Sequence, residues 1–444
     1  MRRLVRGVDL VVRQKFGGAV GPPVLADEPA EDGTGMSRSA CFQYNGSVPR
    51  RLLPLLVALA TAAPAQTVWS MGAPWTDLAA VLAAAAPGDI VRLNGLTFPP
   101  FTMTKGLTIV GPGTIQPAAF SGPVQSTVTV PAGQFARFAD VEFAPQVFAL
   151  GLGFTPHAVA ADGAITFDGC RFRQGHPCNL STSGSVLLNR CQVFGDPLPA
   201  WPQPVGGMQV HSGLCSLVDC DVDGGNSIFQ SAWPYSVAST PGLRVNGGTV
   251  LASRTSFDGG AGRTLGVFGA SAGSSGVIVL AGSCSLADCT VAAGASPNAI
   301  SPPSLATAVA TFVARTTLAA STGPASSGPV QSEPELVGLG ADLPLQLGQT
   351  STFTAIAGST GWLAILAGFD GNAYTHPEVL DPFVGAPQQQ VLLTLSLPTA
   401  GSSVPRPILV PNASTLVGFG LYVQAFQLVA NGVRASAAVG CVVR

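Results

Sequence analysis

The sequence has few charged and few aromatic residues for its length of 444. Only 10% of the residues are charged and 7% are aromatic, whereas 47% are hydrophobic and there are 54 glycines and 37 prolines. This composition excludes charge-rich disorder, because so much apolar side chain favours burial. Gly and Pro recur between short Val, Leu, Thr and Phe runs, which predicts many short strands joined by turns. The length exceeds one compact core, so we expect several folding units or an elongated repeat array.

An apolar run long enough to span a membrane is missing at the N-terminal end. The run at 52–62 has eleven residues, whereas a spanning helix needs roughly 20. Two arginines precede it and small residues follow it, which predicts a secretory signal peptide cleaved near Ala65/Gln66. We therefore expect residues 1–65 to be an N-terminal extension and signal peptide, unless translation starts at Met36. The mature chain would be secreted or on the cell surface, without a membrane span.

Lysine is nearly absent after residue 65, where Lys105 is the only one. That part of the chain has 13 basic and 18 acidic residues, a formal charge of −5. The lack of a basic stripe argues against nucleic acid as a partner. The four histidines are far apart and lack metal-ligand spacing, so we expect no histidine metal site. Eight of the nine cysteines lie here, and their spacing does not define disulfide pairs.

A five-residue segment recurs six times in the middle of the chain. Each copy has a pair suited to a tight or left-handed corner, whose second residue is polar or Gly, then a small or apolar, a polar and an apolar residue. The copies start 21 to 35 residues apart, and such repetition is typical of a solenoid. The copies are 139–143, 168–172, 189–193, 218–222, 253–257 and 287–291.

Alignment of the copies assigns each position to a column. Two columns are apolar or small and are predicted to face inward. The column between them is polar in every copy and faces outward by strand alternation. The inward columns are Phe143, Phe172, Val193, Val222, Phe257 and Val291, and Val141, Cys170, Cys191, Cys220, Thr255 and Cys289. The polar column is Glu142, Arg171, Gln192, Asp221, Ser256 and Thr290, and the next outward column holds Arg173, Phe194, Asp223 and Asp258.

The order of patterns at 77–111 carries a family resemblance. A short amphipathic helix pattern ends at Pro87-Gly88, and two short strands, at 89–93 and 105–111, follow it. This order resembles the N-terminal cap and first coils of pectin-lyase-like right-handed β-helices. The resemblance implies an all-β protein, with a right-handed parallel β-helix and an N-terminal capping helix at 66–320. It also implies a lyase or hydrolase, but residues 66–444 lack the Arg-x-Lys run of the hydrolases.

The pattern changes after residue 300. A Ser, Pro, Ala and Thr-rich stretch predicts a linker at 321–334. The strands that follow lack the corner motif and predict a small antiparallel β-sandwich at 335–444. The segment 421–437 resembles C-terminal β domains of secreted bacterial proteins.

Three carboxylates alternate along one copy, at Asp219, Asp221 and Asp223. This spacing suits oxygen ligands for calcium, or an acid and base pair. Asp219 fits a corner position, and Asp223 recurs as Asp258 before the same Gly-Gly, so we interpret these three as turn formers. Asp221 remains as a candidate catalytic or ligand-binding residue. We expect no cofactor apart from a possible role for calcium.

Two arginines share the outward face with Asp221. Arg171 and Arg173 could hold an acidic sugar through bidentate contacts, and Arg171 is the second catalytic candidate.

Aromatic residues occur in two insertions that follow the outward strand of neighbouring copies. Trp201 lies in the first, and Trp233 and Tyr235 lie in the second. We predict that they adjoin the Asp221 face and offer flat surfaces to sugar rings. Alternatively, they cover the edge of the coils beneath their own loops.

These observations predict a secreted β-helix protein that binds extracellular or cell-surface polysaccharide without catalysis. A polysaccharide lyase or glycoside hydrolase of the pectin-lyase-like type is one alternative. A structural adhesin or surface-layer component is another.

Overall fold

The computed structural model describes residues 66–72, 76–116, 126–144, 158–173, 178–182, 184–195, 207–229, 236–264, 270–297, 301–319, 322–342, 344–385 and 390–444. The predicted extension and signal peptide lie outside these residues, as do Trp201, Trp233 and Tyr235. Residues 66–444 form one compact unit. In the described ranges, no helix combines the length and apolarity needed to cross a bilayer.

A short helix, α1 (Leu78–Ala84), forms where the sequence predicts one. The Asp77 side chain accepts hydrogen bonds from two backbone N–H groups of the first turn and caps the N-terminus. At the other end, the Lys105 ammonium donates to the carbonyl oxygens of Ala83 and Ala85. This lysine therefore serves the helix terminus, where a positive charge is stabilising. The buried residues of the helix are Leu78, Val81 and Leu82.

The strands up to Ser332 are short, as the turn-rich sequence predicts. In chain order they are β1 (Val68–Ser70), β2 (Ile90–Arg92), β3 (Thr97–Phe98), β4 (Thr102–Met103), β5 (Thr108–Ile115), β6 (Thr127–Val130), β7 (Phe135–Phe143), β8 (Ala158–Ala161), β9 (Ala164–Asp168), β10 (Arg171–Phe172), β11 (Cys178–Thr182), β12 (Ser185–Asn189), β13 (Gln192–Phe194), β14 (Met208–Val210), β15 (Leu214–Val218), β16 (Asp221–Asp223), β17 (Ile228–Phe229), β18 (Ser236–Val237), β19 (Leu243–Val245), β20 (Thr249–Ser253), β21 (Ser256–Asp258), β22 (Val277–Val279), β23 (Ser283–Ala287), β24 (Thr290–Ala292), β25 (Leu305–Thr307), β26 (Thr311–Ala314), β27 (Thr317–Ala319), β28 (Ser326–Ser327) and β29 (Val330–Ser332).

These strands form two parallel sheets, apart from the hairpin of β17 and β18. One sheet has 18 strands and the other has nine. In the larger sheet, β9, β12, β15, β20, β23, β26 and β29 pair in succession as a first ladder. A second ladder in the same sheet consists of β10, β13, β16, β21, β24 and β27. Each repeat therefore adds one strand to each ladder and pairs with the repeat before it.

The register confirms the six-copy alignment. The polar column pairs in order from Glu142 to Thr290, and the apolar column beside it does the same. Both predicted inward columns are buried in every copy. The second residue of each corner has a φ between 52° and 67°, and these residues are Asp140, Gly169, Arg190, Asp219, Arg254 and Asp288. A seventh copy at 314–318, which the alignment missed, has Arg315 at a φ of 48°.

The range predicted as a linker, 321–334, differs from that prediction. It contains β28 and β29, which pair in parallel with β25 and β26. Parallel pairing thus continues to Ser332. Strand pairing depends on backbone groups, so Ser-rich segments can continue a ladder without an apolar pattern.

The remaining strands form two mostly antiparallel sheets. One has three strands and the other has seven, with a parallel pair between β34 and β38. The elements are β30 (Gly338–Ala341), β31 (Thr350–Ile356), β32 (Leu363–Gly368), β33 (Ala373–His376), β34 (Val379–Val384), β35 (Val391–Ser396), β36 (Ser403–Leu409), a 3-10 helix (Ser414–Leu416), β37 (Gly420–Val429), β38 (Gly432–Ala435) and β39 (Val439–Val442).

These C-terminal strands cover the outward side of the first ladder. Ser216 Oγ accepts from Ala438 N at 2.7 Å, and Ser253 Oγ accepts from Leu339 N at 2.9 Å. The Asp168 carboxylate accepts from Val442 N at 3.1 Å. We call this buried surface the covered face, and it consists of Thr166, Asp168, Leu187, Asn189, Ser216, Val218, Leu251 and Ser253.

Arg444 adds to the contact between the C-terminal strands and the first ladder. It lies at the corner formed by Gly169, which alone of the six corner residues has no side chain. A Cβ added to Gly169 would lie 3.0 Å from Arg444 Nη2, so the guanidinium occupies the space that a larger corner residue would fill. It pairs with Asp140 and donates to the carbonyl oxygen of Asp168 at 3.0 Å.

The cysteines of the inward columns are free thiols. Cys170, Cys191 and Cys220 are stacked on successive repeats and fully enclosed. Burial raises the pKa of Cys289 to about 12 and moves the pKa of Cys170 and Cys191 in the same direction. They pack as small apolar residues.

Candidate binding groove

The outward side of the second ladder carries a cavity of about 540 Å³. It crosses several repeats, because its lining comes from successive strands of that ladder and from the turns that follow them. We call it the groove, and its described lining is Arg171, Arg173, Gln192, Phe194, Gly195, Asp223, Gly224, Asn226, Asp258 and Gly259.

One end of the groove is basic. Arg171 and Arg173 are both exposed. Arg173 Nε lies 3.1 Å from Glu142 Oε1, and half of the arginine side chain, 51%, stays accessible. An exposed pair of this kind is weak, so both guanidinium groups can donate to a ligand.

The other end is acidic. Asp223 lies on β16 and Asp258 lies opposite it on β21, and both line this end. Asp221, two residues before Asp223 on β16, lies beside the lining. A carboxylate oxygen from each of the three lies within 4.8 Å of the others. In-register parallel pairing places like charges on neighbouring strands, where they repel each other. We call these residues the acidic trio.

Burial and nearby charges raise the pKa of two residues of the trio. Partial burial, with the charges of Asp221 and Asp258 adding to it, raises the pKa of Asp223 to about 6. Burial and the nearby charge of Asp258 raise the pKa of Asp221. A carboxyl group that titrates near neutral pH can donate or accept a proton, and the oxygens of the trio can accept hydrogen bonds or hold a cation.

The interpretation of Asp223 and Asp258 as turn formers does not agree with the structure. Each ends a strand, and neither has the positive φ of a corner residue. Both carboxylates line the groove. The column alignment already put them on neighbouring repeats, but the Asp-Gly-Gly sequence that they share favoured a turn.

Asp219 does occupy a corner, with a φ of 53°. Its carboxylate lies 2.7 Å from Arg254 Nε and accepts from Ala341 N at 2.9 Å. It therefore holds the C-terminal strands and takes no part in the groove.

The predicted residues Arg171 and Asp221 lie in one column, with Gln192 between them. Sequence reasoning placed Phe194 beside them but did not select it as a binding residue. Asn226 was also missed, and its side-chain oxygen accepts from Ala261 N at 2.7 Å, which leaves its amide nitrogen for other contacts. Neither His nor Lys occurs among the described lining residues.

No protein-family model matches this chain, and no curated protein matches it. Among solved structures, a superoxide reductase (neelaredoxin) from Ignicoccus hospitalis matches with 13% sequence identity. The match covers 24% of this chain and 80% of that chain, with a TM-score of 0.16. A similarity at this TM-score carries no argument about fold or function.

Proposed function

We propose that the protein is a secreted right-handed parallel β-helix of the pectin-lyase-like type that binds extracellular or cell-surface polysaccharide in the groove. In this proposal α1 caps the N-terminal end of the helix, and the C-terminal strands form a β-sandwich beside it. The supporting observation is that charged side chains from successive repeats converge on an open groove, while the equivalent face of the first ladder is covered.

The chemistry of the groove suits a ligand rich in hydroxyl groups. Carboxylates accept hydrogen bonds from hydroxyl groups, and guanidinium groups donate to hydroxyl and carboxylate oxygens. A linear chain crossing the strands would meet a new pair of side chains at about every 4.8 Å. Repeated weak contacts of this kind favour a polymer over a single small ligand.

Calcium fits the acidic trio as a cofactor. Calcium takes oxygen ligands at about 2.3–2.6 Å, and three carboxylate oxygens within 4.8 Å of one another can share one ion. Bound calcium would offset the repulsion within the trio and could bridge to an acidic sugar.

The test is calorimetric titration of the purified protein with neutral, amino-bearing and uronic-acid oligosaccharides, with calcium or with a chelator. We expect binding to at least one glycan class, and loss of that binding in an Asp223→Asn, Asp258→Asn double variant. Asp342→Asn is the matched control, because Asp342 is half exposed and lies outside the groove. No binding under any condition would refute the proposal and favour a structural surface component.

Glycoside hydrolysis is a second candidate, favoured by the raised pKa of Asp223 and the short distances within the trio. Retaining enzymes hold their two carboxyl groups about 5–5.5 Å apart, closer than inverting enzymes do. A hydrolase would release reducing ends, and Asp223→Asn would abolish that release. Unsaturated ends would instead indicate a lyase, with Arg171 as the candidate base.

A further inference from the structure

Phe194 is the one apolar side chain among the described residues that line the groove. It ends β13 and is half-buried, whereas the preceding residue, Val193, points inward and is fully buried. Strand alternation therefore keeps the Phe194 ring out of the core. Stabilisation of the core does not account for an aromatic residue at this position.

The neighbours of Phe194 in its column are charged. Asp223 pairs with it on the next repeat, and Arg173 is its counterpart on the repeat before. Neighbouring strands are about 4.8 Å apart, so the ring lies between the basic and the acidic ends of the groove. An isolated exposed apolar residue is ordinary on a protein surface. An aromatic ring inside a cavity, with hydrogen-bonding groups on both sides, is instead typical of a ligand site.

We propose that Phe194 is a stacking platform for one sugar ring, and that the sugar is a pyranose with all of its hydroxyl groups equatorial. This inference rests on the proposed polysaccharide binding and names its ligand class. The negative face of an aromatic ring attracts the C–H groups of a sugar face. Equatorial hydroxyl groups radiate in the plane of the sugar, towards Arg173 and Gln192 on one side and Asp223 on the other. An axial hydroxyl group projects from one face of the sugar and would separate the two rings wherever that face meets Phe194.

The test compares a β-1,4-linked glucose pentamer with the matching mannose pentamer, whose sugars each have one axial hydroxyl group. Calorimetry is done on the wild type, Phe194→Ala and Phe194→Trp. We expect the wild type to prefer the glucose pentamer and Phe194→Ala to bind it about tenfold more weakly. Phe194→Trp keeps the affinity, and its indole fluorescence changes on binding. Leu280→Ala removes an exposed apolar side chain outside the groove and leaves binding unchanged.

The outcomes separate this inference from the proposed function. Wild-type affinity in Phe194→Ala, with binding lost in the Asp223→Asn, Asp258→Asn variant, would refute the platform and leave glycan binding intact. Equal or stronger binding of the mannose pentamer would refute the sugar class. If Phe194→Ala fails to fold, an unchanged spectrum of Phe194→Trp in the presence of bound glycan overturns the platform by itself. Absence of all glycan binding by the wild type would refute the proposed function.

Discussion

The two ladders of the large parallel sheet are built from the same repeats, but their outward faces differ. The face of the first ladder is covered by the C-terminal strands, whereas the face of the second ladder carries the groove. On the covered face, Asp168 and Asn189 are fully buried, and the Asp168 carboxylate and the Asn189 amide nitrogen have partners on neighbouring repeats and on the C-terminal strands. At the acidic end of the groove, the carboxylates of Asp223 and Asp258, and of Asp221 beside them, lie close together without an opposite charge among them. Polar groups are stabilising where each has a partner, and they remain available for a ligand where they do not.

The largest difference in the free energy of unfolding should appear between variants that each lack one aspartate, one from the covered face and one from the groove. Asp168→Ala deletes a carboxylate that pairs with Arg190 at 2.5 Å and leaves that guanidinium, whose side chain is only 18% exposed, without this partner. We expect the free energy of unfolding to fall by about 3–5 kcal/mol, measured by urea denaturation. Asp258→Ala is the control and should change it by less than about 1 kcal/mol. Equal losses would show that the two faces do not differ.

Replacing an arginine at each face should give a smaller difference in stability. Arg444→Ala removes the ion pairs with Asp140 and Asp168 and should cost about 1–3 kcal/mol. Arg173→Ala removes only an exposed pair with Glu142 and should cost less than about 1 kcal/mol. Both are measured by thermal denaturation at pH 7. A larger loss in Arg173→Ala would assign a structural role to the groove.

The raised pKa of Asp223 should make the protein more stable at mildly acidic pH. The pKa of Asp223 in the folded state is about 6, above its value of 3.8 in the unfolded chain. The folded state therefore binds more protons in this window, so stability rises as the pH falls from 7 to about 4. After allowance for solvent screening we expect about 1–2 kcal/mol. In Asp223→Asn this rise should shrink, and an unchanged pH profile would contradict the assignment.

The buried cysteines lie beneath both faces and in the C-terminal strands, and we expect them to show the smallest effect, which is no reaction with a thiol reagent in the folded protein. Among the described residues, seven thiols are free and buried: Cys170, Cys191, Cys215, Cys220, Cys284, Cys289 and Cys441. Maleimide labelling of the folded protein, mapped by peptide mass spectrometry, should leave all seven unmodified, whereas labelling in urea should modify them. Labelling of Cys220 in the folded state would show that the second ladder opens beneath the groove.

The sequence predicts the repeat well because register follows from local pattern. Corner residues such as Asp140 and Arg190, and the inward position of Phe257, follow from the alternation within each copy. The contacts of Asp168 and Arg444 do not, because their partners lie more than 270 residues apart in sequence. Nothing local indicates that Ser216 would accept a hydrogen bond from the C-terminal strands.

The acidic trio could have been predicted from the sequence. The alignment placed Asp223 and Asp258 in one outward column on neighbouring repeats, and parallel pairing alone brings such residues together. These residues were nevertheless interpreted as turn formers, because Asp before Gly is common in turns. Alignment columns that collect like charges therefore indicate a site more reliably than the residue type does.

We infer that the acidic trio contributes to ligand binding and that its mutual repulsion lowers the stability of the fold. The most direct measurement is thermal denaturation and glycan calorimetry on the Asp223→Asn, Asp258→Asn variant at pH 7, beside the wild type. The account predicts a higher melting temperature together with loss of glycan binding, because removing the repulsion stabilises the fold and removes the ligand contacts. A lower melting temperature with unchanged glycan binding would contradict it.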